Sequence, residues 1–222
     1  MKLIGKRPWE RNPAVCCPCS RWLRKKGEGG AEVELSLVFA DVRGSTSLAE
    51  KMTPKEYGRL INRFFTAATD VLVRCGGIID QLVGDEVIGL FLPGYAGQDH
   101  TRRAIEAGCM LLEATGHGGG GDPWLPVGIG VHRGIAFVGS VGSAGAFTDF
   151  TALGDAVNTT ARLASAARPG EVLVSEVACR HGGLDPAQLE RRLLELKGKS
   201  EAVAVVALRG RPGLAGGEGL RT

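Results

Sequence analysis

The spacing of apolar residues changes several times along the chain, and each change predicts an element. From Glu32 to Asp41 the text EVELSLVFAD alternates and then turns wholly apolar, which predicts a strand buried on both faces. Thr53-Pro54 next supplies an N-cap and a proline at the first helical position. Tyr57, Leu60, Ile61, Phe64, Ala68, Val71 and Leu72 then recur at helical spacing until Gly76-Gly77 stops the helix. Two apolar arms, Gly77 to Val83 and Glu86 to Leu92, flank Gly84-Asp85 and predict a hairpin. Asp99 to Thr115 carries one apolar helical face and ends before a glycine run from Gly116 to Gly121.

The second half continues in the same way. Pro126 to Ala136 reads as a strand, and Ala146 to Leu153 as its partner across a Gly/Ser loop. Ala156 to Ala167 is helical and ends at Pro169-Gly170, followed by a short strand, Glu171 to Ser175, and a helix near Val177. Glu190 to Leu196 and Ala202 to Leu208 are two last strands around Lys197-Gly198-Lys199. The order β-α-β-β-α-β predicts an α/β (α+β) fold with a ferredoxin-like core and extra C-terminal strands. In that layout the first strand lies beside the hairpin, so Asp41 and Asp85 should meet.

Residues 1–31 lack periodicity and read as an irregular or weakly helical arm and linker, residues 32–210 as the folded domain, and 211–222 as a disordered tail. The arm holds Cys16, Cys17 and Cys19. Structural zinc needs four ligands, normally in two pairs, and no second Cys or His pair lies nearby, so these read as reduced surface thiols. Cys75, Cys109 and Cys179 sit in apolar surroundings and read as small core residues. A net charge of +3 argues against a protein built to bind nucleic acid through a basic face. No apolar run approaches the about 18 residues of a membrane span, and no secretory signal opens the chain, so a cytoplasmic location is expected.

Two carboxylates at strand-to-turn positions suit a hard cation, because Mg²⁺ takes oxygen ligands, commonly one or two carboxylates plus substrate phosphates. A pair of such ions can clamp the attacking and leaving oxygens of a phosphoryl displacement. Behind Asp41, the turn through Gly44, Ser45 and Thr46 leads into a helix N-terminus with free N–H groups for an anion. By itself Asp41 would read as a helix cap; the matching placement of Asp85 is what points to a site. Asn158 and Arg162 are one helical turn apart and offer an amide and a guanidinium fork from one face, a receptor for phosphate or ribose oxygens. An ordinary solvated helix face would also carry such a pair.

The segments FADVRGST, QLVGDEVIGLF and DFTALGDAVNTTARLASAARPGEVLVSE, in this order and spacing, resemble the catalytic domain of class III adenylate/guanylate cyclases. The resemblance runs from about Glu34 to about Arg209, and LLELKGKSEAVAVVAL is similar to the family's closing strand pair. It implies that Asp41 and Asp85, with Val42 in the same set, hold two Mg²⁺ or Mn²⁺ ions. It implies further that Asn158 orients the ribose and Arg162 stabilises the transition-state phosphate charge. Lys199, with Lys197 as the alternative, would contact the phosphates, and Asp149 would accept from the adenine amino group. ATP, with GTP as a second possibility, is the implied substrate, and a homodimer with two composite sites the implied assembly. One position departs from the pattern: Gln81 stands where adenylate cyclases usually carry lysine, and an amide can donate or accept. A catalytically silent cyclase-like module and a palm-type nucleotidyl transferase are the rival readings.

Overall fold

In the computed structural model, residues 8–9, 12–16, 29–119, 121–143, 147–199 and 201–210 are described. Their elements are β1 (Pro8–Trp9), β2 (Asn12–Cys16), β3 (Gly30–Val42), α1 (Ser45–Lys51), α2 (Pro54–Arg74), β4 (Ile78–Val83), β5 (Glu86–Phe91), α3 (Pro93–Ala96) and α4 (His100–Ala114). After these come β6 (Val127–Ser143), β7 (Phe147–Leu153), α5 (Asp155–Ala166), β8 (Glu171–Ser175), α6 (Glu176–His181), β9 (Glu190–Leu194) and β10 (Val203–Leu208).

The large sheet runs β4-β5-β3-β6-β8-β10-β9, with β7 paired to β6. Strand β3 is antiparallel to β5 on one side and to β6 on the other. Its side chains alternate between two cores. Val38, Ala40 and Val42 pack with Ile61, Phe64 and Leu72 of α2 and with Ile105 and Leu112 of α4. Leu35, Leu37 and Phe39 face the other way, against Ala156 and Ala164 of α5. The expected βαββαβ core with extra C-terminal strands is therefore present, and its first strand is buried on both faces.

Local chemistry accounts for the main boundaries. At the start of α2 the Thr53 Oγ1 accepts from Glu56 N at 3.3 Å while Thr53 N donates to Glu56 Oε2 at 2.9 Å, a reciprocal capping box. Gly84 has φ 61°, and no other residue type in the described chain has positive φ, so the two-residue hairpin turn places the glycine where only glycine is unstrained. Ser36 is the one polar residue in the middle of β3; its Oγ donates to Thr101 Oγ1 at 3.0 Å and lies 3.0 Å from His100 Nδ1.

Several expectations need correction. The arm is not wholly irregular, since β1 and β2 form a short antiparallel pair. Strand β3 begins at Gly30, inside the range assigned to the arm, because its pairing with β6 continues that far. The strand expected to stop at Ala136 runs on as β6 to Ser143, sustained by β7 along its far half. Two short helices, α1 and α3, fall where no periodicity can show in so few residues. Cys75, Cys109 and Cys179 are buried thiols outside any disulfide, as expected, Cys16 lies in β2, and Cys17, Cys19 and the tail 211–222 lie outside the described residues. No helix among the described residues is long and apolar enough to cross a membrane.

Helix α5 lies close on β6 because β6 presents glycines to it. A Cβ added at Gly130 would sit 2.5 Å from Ala164 N and 2.6 Å from Thr160 O, both main-chain atoms that cannot swing aside. Gly130→Ala is expected to destabilise the fold by about 1–3 kcal/mol through overpacking. Gly58→Ala, on an open stretch of α2 with nothing within 4 Å, should instead stabilise by about 0.5–1 kcal/mol. Urea unfolding midpoints of the two variants should move in opposite directions.

Candidate active site

The pairing of β3 with β5 builds the first half of the site. Asp41 is opposite Glu86 in register, and Val42 N donates to the Asp85 carbonyl at 3.3 Å. Asp41, at the end of one strand, and Asp85, in the turn before the next, thus sit side by side. Both are half-buried. Beyond them Gly44 takes a left-handed φ of 71° and starts α1, so Ser45 and Thr46 form its first turn. Val42 is itself buried, which leaves its main-chain oxygen as the group it can offer.

Three further residues complete this corner, and the sequence reading passed over all of them. The Arg43 guanidinium is ion-paired with the Asp41 carboxylate, and its Nη1 donates to Ser165 O of α5 at 2.8 Å. Burial holds the Arg43 pKa below its ordinary range, against the opposing pull of Asp85 and Glu86. Burial, then the Asp85 charge, raises the Glu86 carboxyl, and the same two causes raise the Tyr57 phenol. Arg43 could have been suspected from its place two residues after Asp41; Glu86 and Tyr57 become neighbours only through register and helix packing.

This corner fits a hard divalent cation. It gathers negative charge at low exposure, and two carboxylates with a main-chain oxygen match the oxygen-only preference of Mg²⁺. No cluster of three or more His, Cys, Asp and Glu is gathered for a metal among the described residues. A site that relies on substrate phosphates for its remaining ligands does not need one.

Helix α5 builds the second half. Asp155, Asn158 and Arg162 share one face, opposite the buried Ala156, Thr159, Thr160 and Leu163. Asn158 is exposed and Arg162 half-buried. The Lys197–Lys199 turn closes on this face: Gly198 approaches the Arg162 guanidinium, with Nη2 3.4 Å from where a Cβ would stand, and Lys199 Nζ lies 2.5 Å from Asp155 Oδ2. The sheet fold thus brings Arg162 and Lys199 together, although β8, α6 and β9 separate them in sequence.

Gln81 and Asp149 occupy a third region, where β4 meets β7. Asp149 is half-buried and its Oδ1 accepts from Phe150 N at 3.0 Å. The residues in closest exchange across this junction are two others: Thr151 Oγ1 donates to Asp80 Oδ2 at 2.9 Å.

Near Lys199 an open cavity of about 580 Å³ is lined in part by His132 and Ser175, whose Nδ1 and Oγ lie 2.8 Å apart. Burial, with Lys199 adding to it, pushes the His132 pKa down to about 4. Its ordinary value is 6.5, so between pH 6.5 and 4 the unfolded chain holds a proton that the folded chain refuses. Stability should therefore fall as pH drops through that window, by up to about 1.4 kcal/mol per pH unit from this group. His132→Gln lacks the effect, so its stability deficit relative to the wild type should shrink between pH 7 and pH 5 in urea titrations.

Comparison with known proteins places these features in a family context. The family model for the adenylate and guanylate cyclase catalytic domain matches residues 31–208. An adenylate cyclase of Anabaena cylindrica is 30% identical over 190 residues, covering 79% of this chain and 36% of that protein. This chain thus spans about a third of the curated relative it matches. Among solved structures, the guanylyl cyclase Cya2 superposes with a TM-score of 0.72 at 29% identity, covering 83% of this chain and 96% of that one. The adenylyl cyclase CyaB from P. aeruginosa gives 0.72 at 25% identity, covering 85% of this chain and all of the other.

Proposed function

The chain belongs to the class III adenylate/guanylate cyclase catalytic-domain family, and on that premise we propose that it converts ATP to 3′,5′-cyclic AMP and pyrophosphate. The observation that carries this reading is the meeting of Asp41 and Asp85 across the β3–β5 pairing, in a chain whose α5 also bears Asn158 and Arg162 on one face.

Asp41, Asp85 and the main-chain oxygen of Val42 would hold two Mg²⁺ or Mn²⁺ ions. Bound there, such ions supply Lewis-acid charge to the reacting phosphate oxygens and make the ribose hydroxyl easier to deprotonate. The chain's own residues do the rest. The N–H groups at Gly44, Ser45 and Thr46 receive phosphate oxygens at the start of α1. Asn158 orients the ribose so that its 3′-oxygen lies in line with the α-phosphorus. Arg162 donates to the oxygens on which charge grows, and Lys199 to the departing phosphates, so both act most strongly in the transition state. The 3′-hydroxyl gives its proton to solvent, the O3′–P bond forms, the bond from the α-phosphorus to the bridging oxygen breaks, and pyrophosphate leaves with that electron pair. Gln81 and Asp149 line the purine end.

The catalytic half-sites are assigned to different subunits of a homodimer, the Asp41/Asp85 corner of one facing the Asn158/Arg162 face of its partner. Exposed apolar side chains on β6 and β7, Ile135, Phe137 and Leu153, are consistent with a covered face there. Asp41→Ala and Arg162→Ala should each abolish cyclisation while leaving the melting curve close to wild type. Mixed, they should regain activity, because one of the two heterodimer sites is then intact. Heterodimers that form yet stay inactive would place each site within a single chain.

Base choice follows from hydrogen-bond polarity. Asp149 accepts and does not donate, so guanine O6 would face another acceptor, a mismatch worth roughly 1–3 kcal/mol. ATP should be preferred over GTP by about ten- to a hundredfold in kcat/KM. Gln81→Lys should sharpen that preference, since an ammonium donates to adenine N1 but meets a protonated N1 in guanine. Equal production of cyclic GMP by the wild type, or an unchanged ratio in Gln81→Lys, would contradict this account.

A further inference from the structure

Strand β4 carries an irregularity at the purine end. Its pairing with β5 runs Ile79 opposite Gly89 and then Gln81 opposite Ile88, so Asp80 is an extra residue in the ladder. A bulge of this kind sets two residues against one on the partner strand and re-aims a side chain. Here it turns a carboxylate toward β7 instead of leaving it in alternation with Gln81.

The re-aimed Asp80 is not a surface acid. Its Oδ2 accepts the Thr151 hydroxyl at 2.9 Å, and its Oδ1 is buried with no hydrogen-bond partner. Thr151 is 7% exposed. Thr151 and Asp149 are two apart on β7 and so line one face of that strand. A carboxylate buried in a bulge costs stability, since the Thr151 hydroxyl and the nearby Ala152 N–H replace its lost hydration only in part.

We propose that Asp80 is a positioning residue for purine selection, holding the Thr151 hydroxyl hydrogen so that Thr151 Oγ1 presents only lone pairs and favours a 6-amino purine over a 6-oxo purine. The inference rests on the cyclase reading above. A threonine hydroxyl has one hydrogen to donate and two lone pairs. With the hydrogen committed to ionised Asp80, the oxygen can accept from an amino group and meets a carbonyl oxygen as a second acceptor. With Asp80 protonated, the carboxyl can donate to Oγ1 instead, which frees the Thr151 hydrogen for a 6-oxo group.

The two states interchange near neutrality. Burial raises the Asp80 pKa to about 7, the Thr151 hydrogen bond opposes the rise, and the Asp149 charge adds to it. Asp149 on β7 is the charged group acting on Asp80 among the described residues; its other recorded neighbours there are Thr151 and the Ala152 N–H. On β5 the facing residue is the apolar Ile88. The sign follows directly: above pH 7 the carboxylate accepts and ATP is favoured, and below it the preference weakens.

The test is the ratio of kcat/KM for ATP to that for GTP, measured with Mn²⁺ between pH 6 and 8.5. Protonation of the triphosphates and of the shared catalytic groups affects both substrates and largely cancels in the ratio. For the wild type the ratio should rise several-fold across this range. Asp80→Asn, nearly isosteric, can present either its amide oxygen or its NH2 to Thr151 and does not titrate, so it should lower the ratio several-fold at pH 8 and leave it flat with pH. Thr151→Val should likewise flatten the profile, and adding Asp80→Asn to it should change the ratio no further. Thr151→Ser keeps the hydroxyl and should restore the pH dependence, a rescue that a merely structural role would not predict. A wild-type ratio that is flat with pH and unchanged in Asp80→Asn overturns the proposal while the cyclase reading stands. Should Asp80→Asn fail to fold, the wild-type profile and the two Thr151 variants decide the matter. A wild type that cyclises neither nucleotide overturns the cyclase reading, and this proposal with it.

Discussion

Everything at the candidate site depends on strand β3 being hydrogen-bonded along both edges. On one side it pairs with β6 from Gly30 to Val42, and on the other with β5 from Ser36 to Asp41. The same register that sends Leu35, Leu37 and Phe39 to one core and Val38, Ala40 and Val42 to the other sets Asp41 beside the Gly84-Asp85 turn. A slip of one residue would move both apolar sets to the wrong faces and separate the two aspartates. Burial of the core and assembly of the acidic corner are thus one constraint.

That corner is electrostatically costly in the absence of a cation. Asp41, Asp85 and Glu86 gather where solvent is partly excluded, and the rise in the Glu86 pKa reflects both burial and the neighbouring Asp85 charge. Arg43 answers part of the charge. It does so from a half-buried position with its Nε unpaired, and it ties the corner to the main chain of α5 through Ser165. The arrangement couples the acidic strand ends to the helix that carries Asn158 and Arg162. A shift of either element would be felt at the other.

Close approach does the same work on the far side of the sheet. Gly128, Gly130 and Gly134 of β6 leave no side chain between the strand and α5, so the helix backbone lies nearly on the sheet. The Lys197–Lys199 turn then reaches the exposed face of α5, where Lys199 meets Asp155 and Gly198 borders Arg162. Arg162 and Lys199 thus share this face with Asp155, while Asp41, Asp85 and Glu86 gather with Arg43 at the β3 end.

Much of this was legible in the sequence, because the signals are local. The capping box at Thr53, the glycine at the hairpin turn, the apolar run of β3 and the one-turn spacing of Asn158 and Arg162 each depend on neighbours within a few residues. Their order led to the βαββαβ core and to Asp41 and Asp85 as partners. What required the tertiary structure was every feature defined by a residue on another strand. The length of β6 is sustained by β7 and by β3, not by its own apolar pattern. Arg43, Glu86 and Tyr57 acquire their surroundings only when β5 and α2 close on the end of β3. Where β4 meets β7, Gln81 and Asp149 were visible as residues of a motif. The bulge that re-aims Asp80 and the hydroxyl of Thr151 that meets it were not, because an extra residue in a ladder exists only relative to the strand it is paired with.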